Sequence, residues 1–177
     1  MLVRDLMTKN VSSCHPDNNL AELAAVMWND RCGALPILDG SGRVMGIITD
    51  RDICIALGTR NARASEILVR DVSVPRYFSC NPDDDVRDAL KTMAAQEVSR
   101  LPVVDAGGRL AGILSIDDII FRAGGGRSDL SDREIIDALA AMWEDRIHRR
   151  QAVSEDQSEL TSSIRMPRNY QDFARSH

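Results

Sequence analysis

The sequence predicts an α+β fold: two β-α-β-β-α repeats related by pseudo-two-fold symmetry, followed by a C-terminal helix and a polar tail. Three observations carry this expectation. The chain repeats itself at one constant spacing. Each copy alternates a helical stripe with short apolar runs joined by turn signals. The composition, 44% apolar and 28% charged over 177 residues, suits a chain that buries a core.

The repeat is legible block by block. Val3-Arg4-Asp5 returns as Val69-Arg70-Asp71, and Ser13-Cys14-His15-Pro16-Asp17 as Ser79-Cys80-Asn81-Pro82-Asp83. Leu35-Pro36-Ile37-Leu38-Asp39 returns as Leu101-Pro102-Val103-Val104-Asp105, and Gly42-Arg43 and Gly46-Ile47 as Gly108-Arg109 and Gly112-Ile113. Every pair has the offset that separates Pro16 from Pro82, without a gap. Two copies fall short of the three or more that a solenoid needs, so the expected arrangement is a pair sharing one core.

Each copy opens with a brief strand before Pro16 or Pro82. A helix follows: Leu20, Leu23, Ala24, Met27 and Trp28 keep the i, i+3, i+4, i+7, i+8 spacing of one face, and Val86, Ala89, Leu90, Met93 and Ala94 repeat it. Asn18 and Asp84 stand where N-caps are expected. Two apolar runs then flank a turn signal. These are Ala34 to Leu38 and Val44 to Thr49 around Asp39-Gly40-Ser41-Gly42, and Leu101 to Val104 and Leu110 to Ser115 around Asp105-Ala106-Gly107-Gly108. Each pair reads as a hairpin. Short helices close the copies, about Asp50 to Leu57 and Ile116 to Phe121. Residues 1–66 form the first repeat with its linker, and 67–123 the second. Residues 124–152 hold a Gly-rich break and an amphipathic helix, with Ser131 and Glu134 as a capping box and Ile135, Ile136, Leu139, Met142, Trp143 and Ile147 as its stripe. Residues 153–177 are polar and read as a tail.

Several function classes are unsupported. A net charge of −5 argues against a nucleic-acid or membrane-surface binder. No apolar run approaches a membrane span, and the N-terminus lacks signal-peptide features, so the cytoplasm is the expected compartment. Cys14, Cys32, Cys54 and Cys80 form no C-x-x-C pair, and His15, His148 and His177 are scattered, so no metal site is expected. No nucleophile elbow or P-loop is present, and no catalytic residue is assigned. Asp83-Asp84-Asp85 lacks a calcium-loop spacing and reads as a solvated helix start.

The order of elements, the doubled apolar-Pro-apolar-apolar-Asp run and Gly46-Ile47-Ile48-Thr49-Asp50-Arg51-Asp52-Ile53 resemble a tandem cystathionine-β-synthase (CBS) domain pair, also called a Bateman module. The likeness covers about residues 1–123 and is nearest to small stand-alone bacterial members.

The chemistry is expected where Gly46 to Asp52 and Gly112 to Asp118 run off a strand into a helix N-terminus. Such an end offers unpaired N–H groups and the positive end of the helix dipole to a phosphate. Thr49 and Ser115 can donate to it, and Asp52 and Asp118 can accept ribose hydroxyls. The resemblance implies these roles for both pairs. The same residues also satisfy a capping pattern, and the two roles can alternate. Gly46 and Gly112 leave room for a flat base. Arg51 and Arg100 are candidate phosphate ligands, whereas Asp117 would repel one. Val11, Leu35 and Pro36 are candidates for the base wall in one copy, and Tyr77, Leu101 and Pro102 in the other.

The expected function is a non-catalytic regulatory or sensor module. It would bind an adenosine-containing nucleotide (AMP, ADP, ATP, NAD or S-adenosylmethionine) as regulatory ligand, with no required cofactor, and shift the packing of its repeats. A homodimer and a regulated protein are the expected partners. A dimerisation scaffold with a vestigial cleft and a thiol-based redox protein, the latter suggested by the equivalent Cys14 and Cys80, remain as alternatives.

Overall fold

A computed structural model describes residues 1–73, 77–123 and 130–144. The Gly-rich break at 124–126, the part of the expected C-terminal helix beyond 144 and the expected tail at 153–177 lie outside the described residues. The elements are α1 (Val3–Leu6), α2 (Leu20–Asp30), β1 (Ala34–Leu38), β2 (Val44–Thr49), α3 (Asp50–Thr59), a 3-10 turn (Ala64–Glu66), α4 (Val69–Val72), α5 (Val86–Ala95), β3 (Arg100–Val104), β4 (Leu110–Ser115) and α6 (Ile116–Ala123). Residues 132–144 form a further helix, α7.

Both expected hairpins form: β1 pairs antiparallel with β2, and β3 with β4, each with a register shift before the turn. The turns are built alike. One Asp39 oxygen accepts the N–H groups of Ser41 and Arg43, and one Asp105 oxygen those of Gly107 and Arg109. Gly42 and Gly108 take positive φ, where a side chain would be strained. The brief strand expected before each proline shrinks to a single parallel bridge, Cys14 with Ile37 and Cys80 with Val103. The hairpins meet near their turns, where Val44 N–H donates to Gly108 O and Leu110 N–H to Gly42 O.

Two expectations need correction. The helix caps are Asn19 and Asp85, one residue after those expected. Asn18 and Asp84 are already engaged in the preceding turn, accepting from the His15 and Asn81 N–H groups. The repeats also do not share one core. One cluster gathers Leu20, Leu23, Met27, Leu35, Ile37, Ile48 and Ile53, and a second gathers Val86, Leu90, Met93, Leu101, Val103, Leu114 and Ile119.

The two cores are joined by exchange. Val3 and Leu6, at the start of the first repeat, are buried in the second core, while Ile67 and Val69, at the start of the second, are buried in the first. The backbone repeats the exchange: Val3 N–H donates to Asp84 O and Arg4 N–H to Pro82 O, as Val69 N–H does to Asn18 O and Arg70 N–H to Pro16 O. Arg4 pairs with Asp83 and Arg70 with Asp17. The acidic run at 83–85 is thus absorbed into turn, cap and ion pair.

The capping box expected for α7 is present, with Ser131 N–H and Oγ–H both 2.8 Å from Glu134 Oε2. Leu130, Ile135 and Met142 enter the second core. Of the remaining stripe, Leu139 packs at the edge of that core, Ile136 is exposed, and Ile147 lies outside the described residues.

Candidate ligand cleft

The exchange carries the first repeat's leading segment across to the second repeat's sheet. Thr8 forms an antiparallel bridge with Ile113, each N–H donating to the other's carbonyl. The chain then passes Asn10, Val11 and Ser12, which form one wall of a cleft of about 530 Å³. Asp30, Arg31, Cys32, Gly33 and Ala34 from the end of α2 and the start of β1 form another, and Arg100, Ile113, Ser115, Asp117 and Asp118 come from the second repeat. That volume lies within the range of small-molecule sites.

At its helix end, Ser115 N–H and Oγ–H donate to Asp118 Oδ2 at 2.8 and 2.6 Å, and Asp118 N–H returns a bond to Ser115 Oγ at 3.2 Å. Thr49 and Asp52 repeat this at 2.8, 2.7 and 3.3 Å. The capping reading is therefore correct in both copies. It does not exhaust the carboxylates, because every such bond uses Oδ2. Oδ1 of Asp52 and of Asp118 has no hydrogen-bond partner among the described residues. One oxygen can cap while the other accepts, so the roles need not alternate.

The cleft brings together Val11, Arg100, Ser115 and Asp118. Val11 thus faces the second repeat's motif, not the Leu35, Pro36, Thr49 and Asp52 grouped with it in sequence. Leu35, Pro36, Leu101 and Pro102 are buried away from this cleft, with both leucines in the cores. Arg51 is exposed on the first turn of α3. Tyr77, at the position equivalent to Val11, is half-buried beside residues 74–76, which lie outside the described residues.

Gly112 does not leave room for a base. A Cβ there would stand 2.6 Å from Thr8 O and 3.0 Å from Met7 Sδ, so the space belongs to the crossing segment. Sequence reasoning missed Arg31, which caps α2 in the left-handed conformation (φ 51°) and lines the cleft. The equivalent Glu97 has the same hand (φ 53°), but neither is marked in sequence by the usual glycine. Arg31 and Arg100 face the carboxylates of Asp30, Asp117 and Asp118, so the cleft is lined by both signs of charge. Asp30 accepts a hydrogen bond from the Ser12 hydroxyl.

Cys14 and Cys80 lie one in each core, and burial pushes both thiols up to about 12. This suppresses the thiolate that redox chemistry needs. Among the described residues no His, Cys, Asp and Glu gather into a metal-holding group, and no helix is long and apolar enough to cross a membrane.

The family model for the CBS domain matches the chain twice, over residues 3–59 and 69–125. The chain is 33% identical over 117 residues to the CBS domain-containing protein YhcV of Bacillus subtilis, covering 66% of this chain and 81% of that protein. It is 37% identical over 126 residues to a homoserine O-acetyltransferase of Methanohalophilus mahii, covering 71% of this chain but only 25% of that enzyme. A solved structure, the CBS domain pair of protein MJ0100 in complex with 5′-methylthioadenosine and S-adenosyl-L-methionine, has TM-score 0.65 and 28% identity, covering 71% of this chain and 98% of that one.

Proposed function

The chain belongs to the CBS-domain family, and from that premise we propose that it is a non-catalytic regulatory module. It takes an adenosine-containing ligand in the cleft lined by Val11, Arg100, Ser115 and Asp118. The carrying observation is that Asp118 keeps one carboxylate oxygen unbonded beside a helix N-terminus, in a cleft that also holds two guanidinium groups. A ribose suits the carboxylate, and a phosphate or carboxylate suits Arg31, Arg100 and the helix end. The complex of MJ0100 with two such adenosine compounds supports the ligand class. The likeness to the acetyltransferase spans a quarter of that enzyme, so its activity is not carried over.

Thr49, Arg51 and Asp52, with Tyr77, are proposed to serve a second, pseudo-equivalent site. A ligand bound to both repeats acts by preferring one packing of them over another. The protein is further proposed to work as a homodimer acting on a regulated protein.

Calorimetric titration of the full chain with AMP, ATP, NAD and S-adenosylmethionine tests this reading. A dissociation constant of about micromolar order, equivalent to roughly −8 kcal/mol, is expected for at least one of them. The absence of heat with all four refutes the ligand class and leaves the dimerisation scaffold as the better reading.

A further inference from the structure

Where Gly33 and Arg100 line the cleft, they adjoin Asp50 in an ionic arrangement that the internal repeat does not duplicate. Arg100 opens β3 in the second repeat and is half-buried, with no ion-pair partner among the described residues. Its Nη1 lies 3.7 Å from the point where a Cβ on Gly33 would stand. Asp50 Oδ2, from the first turn of α3 in the other repeat, lies 3.1 Å from the same point. The Asp50 carboxylate is held in place, because its Oδ1 accepts the Arg51 N–H at 2.7 Å and its own N–H donates to Gly33 O at 3.2 Å. The missing side chain of Gly33 thus leaves room where a cation of one repeat and an anion of the other converge beyond direct pairing distance. The equivalent positions across the repeat hold Ser99 for Gly33, Ile116 for Asp50 and Ala34 for Arg100. The backbone bond is retained, Ile116 N–H to Ser99 O at 2.8 Å, but both charges are gone.

We propose that Asp50 is a positioning residue that competes with the ligand for Arg100, and so sets how strongly this cleft distinguishes a phosphorylated nucleoside from a neutral one. This deepens the proposed function and rests on it. With no anion bound, the Arg100 guanidinium is drawn toward the Asp50 carboxylate across the cleft wall. A ligand phosphate must draw it away, whereas a ligand without phosphate leaves the attraction undisturbed. The cost therefore falls on the anionic ligand alone. It also links the repeats, because Asp50 adjoins Thr49, Arg51 and Asp52 of the other motif.

Titration of the full chain with AMP and with adenosine, for wild type and for Asp50→Asn, Arg100→Ala and the double variant, tests the proposal. Asparagine keeps the oxygen that accepts from Arg51 and removes the charge. Asp50→Asn is expected to tighten AMP about threefold to fivefold, the range of a partly exposed charge pair, and to leave adenosine unchanged. In the Arg100→Ala background the same substitution is expected to change neither ligand. Equal effects on AMP and adenosine overturn the proposal, as does an AMP effect that persists without Arg100, which would show a general charge effect. If wild type binds neither probe, this inference fails, and the reading of the cleft fails with it only when ATP, NAD and S-adenosylmethionine also give no heat. If both bind and Asp50→Asn changes neither, only this inference fails.

Discussion

Arg87 on α5 donates from Nε to Glu134 Oε1 at 3.0 Å, tying the first turn of α7 to the second repeat. Glu134 also accepts the N–H and hydroxyl of Ser131. The Ser131 backbone bond, the Ser131 hydroxyl bond and then Arg87 hold its carboxyl down to about 2, from an ordinary value of 4.5. A carboxyl depressed by folding stabilises the folded chain above its unfolded value, and the contribution is lost as pH falls toward the folded value. Wild type should therefore exceed Glu134→Gln in urea stability near neutral pH. The gap should close between about pH 4.5 and 2. A gap that stays constant over that window would show that this carboxylate does not anchor α7.

Gly112 supports a prediction about packing. A Cβ at this position would meet the Thr8 carbonyl, which is backbone and cannot rotate away. Gly112→Ala should push the crossing segment off β4 and cost about 1–3 kcal/mol, the usual range for overpacking. Because the displaced segment continues into Val11, the variant should also bind ligand more weakly. Denaturant midpoints and calorimetry on the same protein measure both effects.

Asp52→Ala and Asp118→Ala should each weaken one nucleotide site. Each also removes a helix-capping partner, so a stability loss of about 1 kcal/mol is expected alongside. Restoring the lost stability with ligand-independent stabilisers should leave binding impaired. If nucleotide affinity is unchanged in both variants, the carboxylates only cap.

The two proposed sites should differ in their appetite for phosphate. Arg51 is exposed at the start of α3, whereas the other motif has Asp117 at the equivalent place. Arg51→Ala should reduce ATP affinity by about 1.5–3 kcal/mol and adenosine affinity by much less. Equal losses for the two ligands would show that Arg51 does not meet phosphate.

Trp28 on α2 is 84% exposed, and Phe121 on α6 is 82% exposed. Contiguous exposed apolar patches mark contact surfaces, and the proposed dimer would cover Trp28 in one. Light scattering of the full chain should give twice the 19.6 kDa of one protomer. Trp28→Glu should reduce that mass toward one protomer without lowering helix content. A wild-type mass of one protomer at micromolar concentration would refute the dimer.

Local features of the fold were legible in sequence because they are encoded by neighbours. The hairpins follow from Asp-led turns, and the boxes at Thr49, Ser115 and Ser131 from residues three apart. The helix caps were displaced by one residue because Asn18 and Asp84 are equally good acceptors, and the turn ahead of the helix uses them. What was not legible is which core receives Val3 and Val69. Both segments are identical in pattern, and nothing local says that each packs with the other repeat. The composition of the cleft depends on that choice: the sequence groups Val11 with Leu35 and Pro36 and offers Gly112 as room for a base, whereas in the structure Val11 lines the cleft with Ser115 and Asp118, and Thr8 stands where a Gly112 side chain would be. Arg31 was missed for a different reason: its left-handed conformation is imposed by the chain's return from α2 to β1, not by its side chain.

The exchange of leading segments has a consequence for the order in which the molecule is made. Val3 and Leu6 are synthesised well before the core that accepts them, which is built from residues 80 to 142. The first repeat in turn lacks Ile67 and Val69 until synthesis has entered the second. Neither half of a growing chain can close its core when its own hairpin emerges. Val3 and Leu6 wait, solvated, while the second repeat is made. Such long-range closure slows folding and lengthens the interval in which apolar surface is uncovered. The first core can close once Ile67 and Val69 emerge, whereas Val3 and Leu6 stay uncovered until the second repeat is made, so segments made early are buried late.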